Sequence, residues 1–177
     1  MLNKFILGEK LAAYLPMVYI EQPEAMESIM KGIYAKIPKN VEVELDWGKG
    51  LKFIAKTGSK NRIVLDAAEE HGGENAGARP MEALLSALGG YTAMDLVTIL
   101  SKKKRGLKDI RVLLHGKRVG EHPHILEVVS MVFEIWSPDI TDEDMRWAVE
   151  LSSGKYCSVS AMLEKSCKID YKWTIHK

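Results

Sequence analysis

ARPMEALLSALGGYTAMDLVTILSKKKR occupies residues 78–105, and between Ala83 and Leu100 nearly every position is apolar or small on every face of a helix. A surface helix keeps one polar side; a helix without one belongs in the middle of something. Both of its ends are marked. Pro80 suits a first helical turn, Glu82 meets the positive end of the helix dipole, and Lys102, Lys103, Lys104 and Arg105 gather at the negative end. The run is about long enough to cross a bilayer, but Ser86, Thr92, Asp95, Thr98 and the pair Gly89, Gly90 interrupt it. It therefore reads as the buried central helix of a soluble protein. Two adjacent glycines within a helix cost on the order of 1 kcal/mol each against alanine. Their missing side chains imply close approach by another element, such as a second helix.

Composition narrows the rest. A chain of 177 residues, 46% hydrophobic and 28% charged, buries one sizeable core and leaves room for one domain and an appendage. A net charge of +1 from 25 basic and 24 acidic residues provides no electrostatic footprint for nucleic acid or an anionic membrane. The N-terminal MLNKFILGEKLAAYLP has only a short apolar run and no cleavage-type small residues after it, so a cytoplasmic location is expected. The two cysteines, Cys157 and Cys167, form no CxxC pair, which argues against structural zinc. No phosphate loop, nucleophile elbow or dinucleotide fingerprint occurs, so neither metal nor cofactor is expected.

Outward from the central helix, residues 1–40 read as a helical N-terminal extension in two pieces separated by Pro16: roughly Asn3 to Leu15, and roughly Pro23 to Lys36. The second piece places Met26, Ile29, Met30, Ile33 and Tyr34 on one face. Such a face needs a partner, and Glu21, Glu24 and Glu27 argue against anionic lipid and for protein. Residues 41–177 form the main domain. VEVELDW, LKFIAKT and RIVLDA alternate with period two between glycine-containing breaks, predicting an antiparallel meander. AEEHGGENAGARP, rich in glycine and polar residues, is a loop expected near the mouth of any site.

Beyond the helix, IRVLLHGKRV and HILEVVSMVFEIW predict a hairpin turning around Gly120 to Pro123. SPDITDED announces a further helix, with Thr141 as N-cap, Asp144 closing a capping box, and an apolar face through Met145, Ala148, Val149 and Ser152. Ser152, Ser153 and Gly154 predict a kink, followed by a second helical piece ending near Glu164. CKIDYKWTI closes the chain as a strand with Ile169, Tyr171, Trp173 and Ile175 on one face. Strands, helix, strands, helix, strand make an α+β order.

Cys157 follows the predicted kink, where the start of the next helical turn and Lys155 would favour a thiolate. The competing reading is a small apolar side chain in a core, where free cysteines are most often found. A disulfide to Cys167, ten residues on, needs a sharp chain reversal and is not expected. His122 and His124 beside Pro123, and His71 after Glu69 and Glu70, suggest a loose metal cluster, but solvated turn residues explain them more simply.

Taken with Cys157, the central helix strongly resembles that of the OsmC/Ohr family of thiol-dependent peroxidases, the osmotically inducible and organic hydroperoxide resistance proteins. The likeness is to the branch with PMEALLSALGG followed by TAMD. HGGENAGARP, EHPH, ELSSGKYCSVSAML and the terminal strand fit the same branch, so the resemblance runs from about Val41 to Ile175 and leaves the first 40 residues outside it. It implies an OsmC-like fold, with antiparallel sheets around a buried central helix, and an intertwined homodimer with two central helices at its core and one site per subunit at the interface. It also implies two cysteines. In active members one stands directly after the glycine pair and attacks the peroxide as thiolate; a second, in the segment matching YCSV, resolves the sulfenic acid as a disulfide.

Here the second is Cys157, but the first is Tyr91. A phenol does not form the reducible intermediate that the cycle needs. Organic-hydroperoxide members also place a glutamate directly after the helix-opening proline and an arginine in the first hairpin. Met81 and the Lys49 region stand there in this chain, and Glu82, one step along, is the carboxylate to which the role would pass. The expected site therefore comprises Cys157 as candidate thiol, Glu82, and a pocket of Tyr91, Met81, Met94 and Tyr156. Three functions follow. The first is a homodimer without two-cysteine peroxidase activity that binds a hydrophobic small molecule at its interface. The second is a one-cysteine hydroperoxide reductase in which Cys157 is recycled by an external thiol reductant. The third is an interaction module acting through the helix at Pro23 to Lys36.

Overall fold

The computed structural model describes residues 28–32 and 39–177. The first sheet is the expected meander: β1 (Val43–Trp47), β2 (Phe53–Thr57) and β3 (Arg62–Leu65), antiparallel and in sequence order. Register puts Leu45 opposite Ala55 and Trp47 opposite Phe53, with Ile63 across from Ala55. Because side chains alternate, one face collects Val43, Leu45, Trp47, Phe53, Ala55 and Ile63, while the other carries Glu44 and Asp46 paired with Lys56. The apolar face is largely open, with Trp47 71% exposed. Among the described residues, Ala55 is the one buried apolar side chain of β1–β3, and it lies outside the main core cluster.

β3 runs into a loop held by one carboxylate. Asp66, buried, accepts the backbone N–H groups of Ala67, Glu74 and Ala76 at 2.8, 3.0 and 3.0 Å. The bond from Ala76 outweighs the cost of burial and, with the others, holds Asp66 below the usual carboxylate range. The loop lies so close to the strand that a Cβ on Gly73 would meet the Ala67 carbonyl at 2.1 Å and one on Gly77 the Val64 carbonyl at 2.4 Å. It delivers the chain to α1 (Pro80–Lys102), the central helix, with Pro80 in its first turn as expected.

The second sheet supplies the core. β4 (Asp109–Arg118) and β5 (Leu126–Trp136) form the predicted hairpin, and β6 (Lys168–His176) lies beside β5. Here the structure corrects the expectation of antiparallel sheets throughout: β5 and β6 are parallel. The reason is the connection, a crossover through α2 (Asp142–Leu151), a π-turn (Ser152–Tyr156) and α3 (Ser158–Leu163), of the kind that parallel neighbours require. Val129, Met131, Phe133 and Ile135 of β5 point inward with Ile169, Tyr171, Trp173 and Ile175 of β6, against Leu88, Leu96, Ile99 and Leu100 of α1. Met145, Ala148 and Val149 of α2 close the other side.

Within the chain, among the described residues, only one glycine of the pair is closely approached, and by a strand. A Cβ on Gly89 would meet Leu114 of β4 at 2.5 Å, so it is a strand that comes close, whereas Gly90 faces open space. Gly90 lies on a stripe with Ala83, Ala87, Met94 and Val97, spaced alternately four and three residues apart along one side of α1. Ala87, Gly90 and Met94 are exposed, Met94 by 64%. The helix is apolar all round, but the described residues cover only part of it.

Residues 28–32 are helical, and Met30 is fully buried in the core with Ile29 packed against it, so this part of the N-terminal extension joins the main domain. The remainder of the two expected N-terminal helices lies outside the described residues. The basic run after α1 also has a specific task. Lys103 Nζ and Arg105 Nε reach the buried Asp144 carboxylate at 2.7 and 2.9 Å, while Thr141 and Asp144 complete the predicted capping box of α2. Burial raises the cost of that charge, but the hydrogen bonds from Lys103 and Thr141 outweigh it and hold Asp144 below the usual carboxylate range. Asp144→Ala leaves both cations facing an emptied site and is expected to cost about 3 kcal/mol at neutral pH by chemical denaturation. Because the folded value is depressed, the gap between wild type and variant should stay constant above the unfolded value of about 4 and close as pH falls through the folded one.

Candidate functional site

Cys157 lies where α1, the crossover helices and β6 meet. The kink predicted at Ser152–Gly154 is the π-turn, in which the Cys157 N–H bonds to the Ser152 carbonyl at 2.8 Å instead of a carbonyl four residues back. Cys157 is thereby the N-cap of α3, and its Sγ accepts the Ser160 N–H at 3.4 Å. From the other side, Thr92 Oγ1 of α1 lies 3.5 Å from Sγ. That hydroxyl already donates to the Leu88 carbonyl at 3.0 Å, which leaves its lone pairs to accept the thiol hydrogen. Both hydrogen-bonding capacities of the thiol are filled, and Cys157 is 1% exposed.

A second polar contact stands one turn along. Ser152 Oγ donates to Asp95 Oδ2 at 2.7 Å, both residues being buried. Outside Cys157, Tyr171 of β6 donates its phenol hydrogen to Glu164 at 3.3 Å, and its oxygen lies 3.4 Å from Ser160 Oγ. Burial pushes Tyr171 up to about 12, with Glu164 and the neighbouring Cys157 adding to the shift.

The other expected site residues are spread out. Glu82 is exposed at the start of α1, where its carboxylate accepts the Arg79 N–H at 2.9 Å; it closes the helix end, about 15 Å along the axis from Thr92. Met81 and Tyr91 are half-buried against the core, ten residues apart on α1, while Met94 lies on the open stripe and Tyr156 is buried beside Cys157. Lys155 is exposed, with its Nζ 6.0 Å from the centre of the Tyr156 ring. Cys167 donates its thiol to the Leu163 carbonyl at 3.4 Å, beyond the far end of α3, and both cysteines are free. Burial pushes the Cys167 thiol up. The rings of His122 and His124 lie 4.1 Å apart and tilted by 50° in the exposed β4–β5 turn, and His71 is exposed in its loop.

Thr92, Asp95, Ser152 and Ser160 were not among the expected site residues. Part of their signal was present: Thr92 and Asp95 are a polar pair at i, i+3 within a largely apolar helix.

The OsmC-like protein family model matches residues 72–172, which takes in α1, the hairpin, the crossover and most of β6. The chain belongs to the OsmC family. Protein YhfA of Escherichia coli strain K12 is 33% identical over 135 residues, covering 76% of this chain and 98% of its own. The crystal structure of a hypothetical protein from Aquifex aeolicus VF5 superposes with a TM-score of 0.69 at 33% identity, covering 78% of this chain and 98% of that one. An organic hydroperoxide resistance protein OsmC from Legionella pneumophila shares the fold, with a TM-score of 0.61 at 12% identity over 78% of this chain and 99% of that one. The OsmC fold expected from the sequence is thus the one observed, and α1 is its core helix.

The Tyr171 environment has a measurable consequence. A folded value raised from about 10 to about 12 means that stability is complete below pH 10 and declines as pH rises toward 12, because only the unfolded phenol ionises freely there. In Tyr171→Phe that part of the alkaline loss should disappear, as followed by chemical denaturation between pH 9 and 12.

Proposed function

We propose that this OsmC family member works as a homodimer that has left the two-cysteine peroxidase cycle and binds a hydrophobic small molecule at the subunit interface, beside Tyr91 and Met94. The observation that carries the reading is the surroundings of Cys157: its sulfur meets a threonine hydroxyl and a backbone amide, while Cys167 is bonded to the Leu163 carbonyl beyond α3. A disulfide needs a second sulfur within bonding reach. Tyr91 stands where the family resemblance puts the first cysteine, and a phenol supplies hydrogen bonding and aromatic surface instead of redox chemistry.

Two open apolar surfaces support the dimer: the Ala83, Ala87, Gly90, Met94 and Val97 stripe of α1, and the Val43, Leu45, Trp47 and Phe53 face of the meander. Contiguous apolar patches of this kind mark interaction sites, and the small residues of the stripe suit helix against helix at short range. Met94→Glu would put a charge into that contact. It is expected to weaken dimerisation at least tenfold in sedimentation velocity over a concentration series, and a wild-type monomer at micromolar concentration would remove this support.

One observation favours the alternative, a one-cysteine hydroperoxide reductase: the Ser160 N–H directed at Cys157 Sγ is a donor that also suits a thiolate. Cumene hydroperoxide loss in excess dithiothreitol separates the readings. The proposal expects wild type to match Cys157→Ala, and Tyr91→Cys to exceed both by at least tenfold. Wild-type turnover abolished in Cys157→Ala would transfer the assignment to the one-cysteine enzyme.

A further inference from the structure

The buried pair Asp95 and Ser152 has no part in the reading above, and it stands where a carboxylate is expensive to place. Asp95 is 2% exposed and Ser152 not at all. The serine side chain gives its hydrogen to Asp95 across the helix contact, while its carbonyl accepts the Cys157 amide along the chain. One residue thus links α1 to the turn that ends in Cys157.

Register gives this link a purpose. Were α2 to continue as an α-helix, the amide bonded to the Ser152 carbonyl would belong to residue 156, and Tyr156 would follow one turn after Ser152. The observed turn contains one residue more, so Cys157 takes that place. On α1, Thr92 and Asp95 share a face and stand about 4.5 Å apart along the axis. With Ser152 pinned to Asp95, the wider turn brings the small thiol, and not the bulky phenol, against Thr92. Single π-turns of this sort recur at functional sites.

We infer that Asp95 is a positioning residue for the Cys157 thiol: through Ser152 it holds the π-register that sets Sγ against the Thr92 hydroxyl and the Ser160 amide. The inference rests on the reading of Cys157 as the thiol of the site, and goes beyond it by naming what places that thiol.

The test reads thiol access and backbone protection, not peroxide turnover, so it stands or falls separately from the proposed function. In full-length chain carrying Cys167→Ala, the reaction of Cys157 with methyl methanethiosulfonate is followed from pH 6 to 9, together with hydrogen exchange of the Cys157 amide by NMR. Ser152→Ala and Asp95→Ala break the link, whereas Asp95→Asn keeps an acceptor oxygen without the charge. The breaking variants should react at least tenfold faster and lose amide protection at least tenfold, with circular dichroism and oligomer size unchanged. Asp95→Asn should remain within threefold of the parent. Should Asp95→Ala not fold, Ser152→Ala, which removes a single hydroxyl, decides. Breaking variants within twofold of the parent overturn the inference, and so does an Asp95→Asn that behaves as Asp95→Ala, since charge and not geometry would then govern the thiol.

Discussion

A helix with apolar residues around its whole circumference must be covered on every side, and a three-stranded sheet with one crossover covers only part of it. In this chain β4–β6 and α2 enclose the line of Leu88, Leu96, Ile99 and Leu100, and the side of α1 through Ala87, Gly90 and Met94 stands open. The meander has the converse difficulty: an apolar face on which, among the described residues, Val43, Leu45, Trp47, Phe53 and Ile63 stand exposed. Asp66 fixes the loop between them. A second copy would meet both requirements at once, since each protomer would bring a surface to cover and a surface that covers, and this is the physical content of the proposed homodimer.

Charge is distributed so that its contribution depends on where it lies. The surface pairs Arg111 with Glu134 and Lys117 with Glu127 are solvated, and such pairs contribute about 0–1 kcal/mol. Asp144 is different: it is buried, it caps α2, and two cations from the end of α1 converge on it. That cluster ties the end of α1 to the start of the crossover. The polar groups of the interior follow the same logic. Thr92 and Asp95 are buried where they meet Cys157 and Ser152, on the face of α1 turned toward the crossover.

The sequence made the elements plain because their signals are local. Alternation marked the meander and hairpin, Thr141 and Asp144 marked the start of α2, and the serine and glycine run marked the break before Cys157. The direction of β6 was less accessible, since it depends on where a crossover places the chain and not on the strand's own pattern. Of the site, Cys157 was legible from its position after the break, whereas Thr92 was hidden by being read as an interruption in an apolar helix. The glycine pair was legible only in part. Spacing shows that small residues are needed, but not that a strand, as at Gly89, is what comes close.

The contact between Thr92 and Cys157 sets the limits of any chemistry at this thiol. A hydroxyl can fill a hydrogen bond as a thiol does, but it cannot donate the sulfur electron pair that turns a sulfenic acid into a disulfide. Attack of the Cys157 sulfur on a peroxide oxygen would break the O–O bond, release an alcohol and leave sulfur oxidised by two electrons. Two further thiol groups, neither of them bonded to Cys157 here, would then be needed to return it to the thiol with loss of water. A chain built in this way either recruits an external thiol at every turn or does not turn over at all. Burial at 1% exposure weighs toward the second, because each external thiol would have to reach a sulfur closed in between α1 and α3.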